Sequence, residues 1–208
     1  MTSGTPRPRR RADGERSRQA ILEAAARLAT VEGLDGLSIG RLADEVGMSK
    51  SGLFAHFGSK QELQLETIAA ADAVFAREVV APATAADPGV ARVLALADAF
   101  LAHIERGVFP GGCFFAAAAA EMGVRPGPVR DRIQGFVVGW LGALQTALEE
   151  ARGLGEIDPE ADAGQLAFEI NAMLLGANLA FPLFGDPRVL DRARVGVRTR
   201  LATTAVRA

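Results

Sequence analysis

From Glu15 onward, apolar residues recur at intervals of three and four. Ile21, Leu22, Ala25, Leu28 and Ala29 fall on one face of a helix, and Gly33, a residue able to adopt positive φ, closes it. This predicts a first helix over about residues 15–32. Ser38 then stands at an N-cap position before Ile39, Leu42, Ala43 and Val46, and Gly47 ends a second helix after about two turns. Ser49 caps a third, over about residues 49–56, with Lys50, Ser51, Gly52 and Ala55 expected outside and Leu53 and Phe57 inside. Ser59 opens a long fourth helix. Glu62 takes its capping-box position, and the apolar face runs through Leu63, Ile68, Val74 and Phe75 to about Val80.

Pro82 and the stretch from Ala83 to Pro88 read as the next break. Further helices are predicted at about 89–106, 113–123, 127–152, 159–181 and 187–205, separated by short Gly- and Pro-containing clusters. No stretch alternates with a strand's period of two, so the fold class is all-α. Residues 1–14 are rich in Pro, Gly and Arg without apolar periodicity and are expected to be a disordered basic tail, read either as a frayed terminus or as an arm that touches DNA. The remaining organisation is a small helical domain over 15–75 and a larger helical domain over 83–208.

Charge adds an asymmetry. The net charge is −2, yet residues 1–60 hold ten Lys and Arg against seven Asp and Glu, whereas residues 61–208 hold thirteen against eighteen. A basic head on an acidic body suits a protein with one end that meets phosphates. The single cysteine, Cys113, forms no internal disulfide and reads as a small buried hydrophobe, with redox sensing as the minority alternative. Together with the lack of a charged-then-apolar opening segment, this makes the cytoplasm the expected compartment. The apolar run from Ile170 to Phe184 carries Asn171, Asn178 and Pro182 and is shorter than the ~20 residues a bilayer needs, so it is read as a buried helix with no membrane partner. Two histidines, one cysteine and no phosphate-cradling Gly loop or paired carboxylates argue against an enzyme, and no cofactor or metal is expected.

The segment from Ser38 to Phe57 meets the requirements of a helix-turn-helix. Ala43 permits close helix approach, Gly47 permits the turn, and Val46, Met48 and Leu53 supply a shared apolar seam. The run Ile21-Leu22-Glu23-Ala24-Ala25, Gly33, Ser38-Ile39, Leu42-Ala43, Val46-Gly47-Met48-Ser49-Lys50, Leu53-Phe54-Ala55-His56-Phe57 and Ser59-Lys60-Gln61-Glu62-Leu63 resembles the DNA-binding domain of the TetR/AcrR family of repressors. Gly111-Gly112-Cys113-Phe114 is similar to a short motif in the regulatory domains of some members.

The resemblance implies a sequence-specific, homodimeric DNA-binding regulator whose grip on a double-stranded operator changes when a small, largely apolar effector binds its C-terminal domain. Ser49, Lys50, Ser51 and Gly52 would face base edges, with Lys50 donating to guanine O6 or N7. Ser38, His56 and Lys60 would sit against phosphates. The family often carries Tyr where this chain has Phe54, and a phenyl ring cannot donate to a phosphate. Van der Waals contact with the sugar-phosphate edge would replace that bond, and a helical adaptor that no longer reads DNA stays open on this point. Taken singly, Lys50 and Lys60 read as solvated charges, Ser38 as a cap and His56 as a core histidine. Their placement on one motif is what points to DNA. Side chains available for an effector cavity are Phe100, His103, Phe114, Phe115, Met122, Trp140, Phe168, Met173 and Phe181, with Asn171, Asn178 and His103 as polar groups. Of these, Phe100, His103, Phe114, Trp140, Phe168 and Asn171 are the candidate ligand contacts, each readable also as plain core. The last two long helices offer small residues between apolar ones, a pattern that either completes the core or packs two copies as a four-helix bundle.

Overall fold

The computed structural model describes residues 8–205. The head comprises α1 (Pro8–Glu32), α2 (Ile39–Val46), α3 (Lys50–Phe57) and α4 (Lys60–Phe75). The chain continues through a π-helical turn (Ala76–Val80) and α5 (Ala81–Thr84) into a body of α6 (Val90–Glu105), α7 (Phe114–Met122), α8 (Pro128–Gly153), α9 (Ala163–Phe184) and α10 (Arg188–Ala202). Among the described residues there is no strand; the only extended pairing is an isolated bridge between Ile157 and Ala205.

The caps follow from side-chain chemistry. Ser38, Ser49 and Ser59 are all extended, and their hydroxyl oxygens accept from the backbone N–H of Arg41, Gly52 and Glu62. Each bond satisfies one of the amides that a helix start leaves without a partner. Gly47, at φ 67°, turns the chain between α2 and α3.

Four boundaries differ from the sequence pattern. α1 starts at Pro8, so the part of the expected disordered tail from residue 8 onward is helical, while residues 1–7 lie outside the described residues. Proline suits a first helical position, and the Arg and Ala that follow favour helix without needing an apolar face. Helical backbone also continues past Val80 to Thr84, through Pro82. The Ala81 N–H reaches the Ala76 carbonyl five residues back, and this widened turn makes room for a residue that cannot donate and whose ring crowds the preceding turn. Likewise Pro182 lies inside α9, which ends at Gly185 in the left-handed conformation. At its other end, α9 starts at Ala163 because Asp162 caps it by accepting from the Gln165 N–H.

α1 packs on α2 and α4, while α6, α8, α9 and α10 pack together as the body. α7 bridges the two, touching α1 on one side and α8 on the other. α9 is long and apolar enough, by length and composition, to cross a membrane. Here Leu166, Ile170 and Leu174 are buried in the core while Phe168, Leu179 and Leu183 are exposed, so the expectation of a buried helix holds on one side only.

Candidate DNA-reading face and effector cavity

The third helix has two unlike faces. Leu53 and Phe57 are buried against the head, whereas Ser49, Lys50, Ser51, Phe54 and Ala55 are exposed and Gly52 is half-buried. The Ser49 cap fixes the start of this face, and its hydroxyl lies 3.3 Å from that of Ser51. Lys50 and Lys60 are the only lysines in the chain. Lys50 has no carboxylate partner among the described residues, and its side chain lies over Gly40 of α2, where a Cβ would come within 3.3 Å of Lys50 Cε. Arg18 of α1 steadies the far end of α3. It donates to the His56 carbonyl at 2.7 Å, pairs with the Glu66 carboxylate and sits 4.9 Å over the Phe57 ring.

Around this face, Ser38 is exposed and His56 is half-buried beside Phe57. Lys60 is exposed but engaged: its ammonium donates to the Asp35 carbonyl at 2.6 Å and to the Asp35 carboxylate at 2.9 Å. Arg125 reaches the other carboxylate oxygen at 2.6 Å. The hydrogen bond from Arg125, then that from Lys60, holds the Asp35 carboxyl below its ordinary range.

In the body, a cavity of about 650 Å³ lies between α7, α8 and α9. One wall is aromatic: Phe75, Phe100, Phe115, Phe136 and Trp140. Phe75 meets Phe136 and Trp140 edge-on, with centroids 4.9 and 5.2 Å apart, while Phe115 and Phe136 lie parallel. The edge-on contacts of Phe75 suit the ring quadrupoles. The small side chains of α7, Ala116, Ala117, Ala119 and Ala120, form a second wall. α9 supplies Asn171, Asn178 and the exposed Leu175, Leu179 and Leu183, so the cavity opens on the α9 side. The Trp140 indole N–H donates to Asn171 Oδ1 at 2.9 Å, and the Cys113 backbone N–H donates to Asn178 Oδ1 at 2.6 Å. Cys113 also lines the cavity, and burial pushes its thiol pKa up.

The sequence of each half matches a described family. Residues 21–67 match the bacterial regulatory proteins of the tetR family, and residues 89–197 match the tetracyclin repressor-like C-terminal domain. The chain belongs to the TetR family. The HTH-type transcriptional repressor AcnR of Corynebacterium glutamicum is 42% identical over 64 residues, covering 31% of this chain and 34% of that protein. The chain thus matches about a third of that relative's length. A TetR transcriptional regulator from Chloroflexus aurantiacus superposes with a TM-score of 0.87 at 26% identity, covering 95% of this chain and 100% of that one. AibR, in complex with isovaleryl coenzyme A and operator DNA, superposes at 0.69 with 23% identity, over 91% and 98% of the two chains.

Within this TetR-family architecture, the candidate base-reading residues cluster at the N-terminal end of α3, with Ser49, Lys50 and Ser51 exposed and Gly52 half-buried. Of the candidate effector contacts, Phe100, Trp140 and Asn171 line the cavity. His103, Phe114 and Phe168 do not. Phe168 is 63% exposed on the outer side of α9. Phe114 is buried behind the wall against Phe109 and Phe115. His103 is buried between Phe75 and Phe109, and among the described residues neither ring nitrogen has a partner. Burial, followed by the nearby Arg106 charge, pushes its pKa down to about 4 against Glu78 acting in the opposite sense.

Sequence reading missed Phe75 and Phe136 as cavity residues and missed the contacts that join body to head. Glu121, near the end of α7, accepts from the backbone N–H of Leu34 and Asp35 at 2.6 and 2.9 Å. At the other end of α7, the Gly111 N–H donates to Thr30 Oγ1 of α1. A Cβ at Gly111 would fall 1.9 Å from the Thr30 carbonyl oxygen, which gives the first glycine of the Gly111-Gly112-Cys113-Phe114 motif a packing role.

Proposed function

We propose that this chain acts in the cytoplasm as a homodimeric repressor that sets two α3 helices in successive major grooves of a near-palindromic operator and changes its grip when a small molecule enters the body cavity. The observation that carries the reading is the exposed face of α3, capped by Ser49 and seated on buried Leu53 and Phe57. In this reading Ser49, Lys50, Ser51 and Gly52 meet base edges, and Lys50 donates to guanine. Ser38 and His56 meet phosphates. Phe54, 53% exposed, packs on the sugar-phosphate edge. Lys60 reaches a phosphate with the donor that its Asp35 contacts leave over.

Dimerisation would fall on α8 and α9. Leu166, Ile170, Leu174, Leu190, Val197 and Leu201 are taken up by the chain's own core, which moves the partner surface away from the pairing of α9 with α10. Val138, Phe168, Leu175 and Leu179 stand exposed beside the small residues Gly135, Gly139, Gly142 and Gly176. Two copies of this face suit a four-helix bundle, which spaces two readers about 34–36 Å apart.

The signal would travel through α7 as well as through the long α4. α7 forms a cavity wall and is tied to the head at both ends by Gly111–Thr30 and by Glu121 with Leu34 and Asp35. A ligand that separates α7 from α8 and α9 displaces the head, and a few kcal/mol of differential binding is enough to shift operator occupancy. AibR, whose structure holds an acyl coenzyme A and operator DNA together, supports a two-site reading of the shared fold.

The test is fluorescence anisotropy of DNA upstream of the chain's own coding sequence, and of sequences selected from a random pool, titrated with salt. Affinity that falls steeply on a log–log plot, by about 0.9 per phosphate contacted, is expected. Failure to bind either kind of DNA overturns the reading.

A further inference from the structure

We propose that the cavity selects an uncharged, mainly apolar, elongated molecule carrying two hydrogen-bond acceptors about two helical turns apart, taken by the side-chain N–H groups of Asn171 and Asn178. The proposal rests on the effector reading above and names the chemistry of that effector.

The orientation of both amides is settled by their partners. Asn171 Oδ1 receives the Trp140 indole N–H, and Asn178 Oδ1 receives the Cys113 backbone N–H. An indole nitrogen and a backbone amide only donate, so each Asn must turn its oxygen toward them and its Nδ2 away. Among the described residues neither Nδ2 has a protein acceptor, yet both residues line the cavity and Asn178 is only 8% exposed. A donor on the wall of an open cavity with no protein partner is available to a ligand acceptor. Gly112 makes the second amide's placement possible. Its φ is 86°, and a Cβ there would lie 2.5 Å from Asn178 Oδ1.

Spacing and lining narrow the class. Residues seven apart on a helix share a face and are separated by about 10.5 Å along the axis. The cavity wall contains no Asp, Glu, Lys, Arg or His, so a charged ligand would be desolvated without a counter-charge. At about 650 Å³, the space suits a drug-sized molecule. The aromatic wall favours a flat ring system between the two acceptors.

A matched series tests this on the full chain by isothermal titration calorimetry: 4,4′-diacetylbiphenyl, with two ketones at the ends of an apolar biaryl core; 4,4′-diethylbiphenyl, which lacks acceptors; and biphenyl-4,4′-dicarboxylate, which is charged. The diketone is expected to bind at least about tenfold more tightly than the diethyl compound, the value of one well-made hydrogen bond, and the dicarboxylate most weakly. Asn171→Leu removes one of the two donors and should narrow the advantage of the diketone over the diethyl compound without abolishing it. Asn178→Asp keeps an acceptor for the Cys113 N–H, removes the donor, and should also lower diketone affinity. Equal binding of diketone and diethyl compound, preference for the dicarboxylate, no binding by any member, or a preference that neither substitution narrows overturns the proposal. Operator affinity is read separately: a diketone that binds with the expected asparagine dependence but leaves DNA affinity unchanged supports the acceptor pairing and overturns the effector reading.

Discussion

The two short helices of the head and three of the long helices of the body are satisfied in different ways. In the head, α2 and α3 are eight residues long, and each begins with a serine whose hydroxyl accepts a backbone N–H. In the body, α6, α8 and α10 run for 15 to 26 residues without a side-chain cap, and the body also contains a cavity and an imidazole with no partner among the described residues. A short helix has a large share of its backbone groups at its ends and gains little from length, so its ends must be satisfied locally. A long helix is held by the apolar face it packs and tolerates a void beside it. The head is thereby suited to present a rigid surface, and the body to yield to a ligand.

The sharpest way to break this comparison is Phe57→Ala. Phe57 is 2% exposed and lies under Arg18, and truncating such a ring destabilises by about 3–5 kcal/mol. Urea denaturation followed by circular dichroism, with hydrogen exchange to locate the loss, should show the head melting first; simultaneous loss of the body would mean the two behave as one unit. Next is pH. His103 sits at about 4 in the fold against its ordinary 6.5. Between those values the unfolded chain binds a proton that the folded chain does not, so stability is full above about 6.5 and declines as pH falls toward 4, by at most about 3 kcal/mol. In His103→Phe that decline should shrink, as measured by denaturation midpoints at stepped pH.

Ser49→Ala should cost about 1 kcal/mol and weaken operator binding more than stability alone explains, seen by comparing anisotropy with melting. The smallest structural effect is expected from Lys60→Ala. It removes an exposed ammonium paired with Asp35, so folding should change little while the salt dependence of DNA binding becomes shallower by about one phosphate contact per protomer. An unchanged slope would mean that Lys60 meets no phosphate.

What could be read in the sequence follows the same division. Ser38, Ser49 and Ser59 are legible as caps because a cap is decided within three residues, and the inward phase of Leu53 and Phe57 is decided within two turns. Pro82 misleads, because a π-helical turn carries the helix through it and no local signal announces that turn. The cavity is harder still. Phe168 and Asn171 lie three residues apart on one helix, yet one faces out and the other in, and only the placement of α8 separates them. The Glu121 contacts with Leu34 and Asp35 span 86 and 87 residues, so the link between cavity and head belongs to the fold and not to any stretch of chain.

The bond between Trp140 and Asn171 has an optical consequence. The chain holds one tryptophan and no tyrosine, so its ultraviolet emission comes from a single indole in the cavity wall, its N–H fixed to one amide. Occupation of the cavity should shift that emission, and so should melting of α4, whose Phe75 ring lies edge-on to the same indole at 5.2 Å. The protein therefore carries an unlabelled spectroscopic reporter at the seam where the end of α4 meets the cavity.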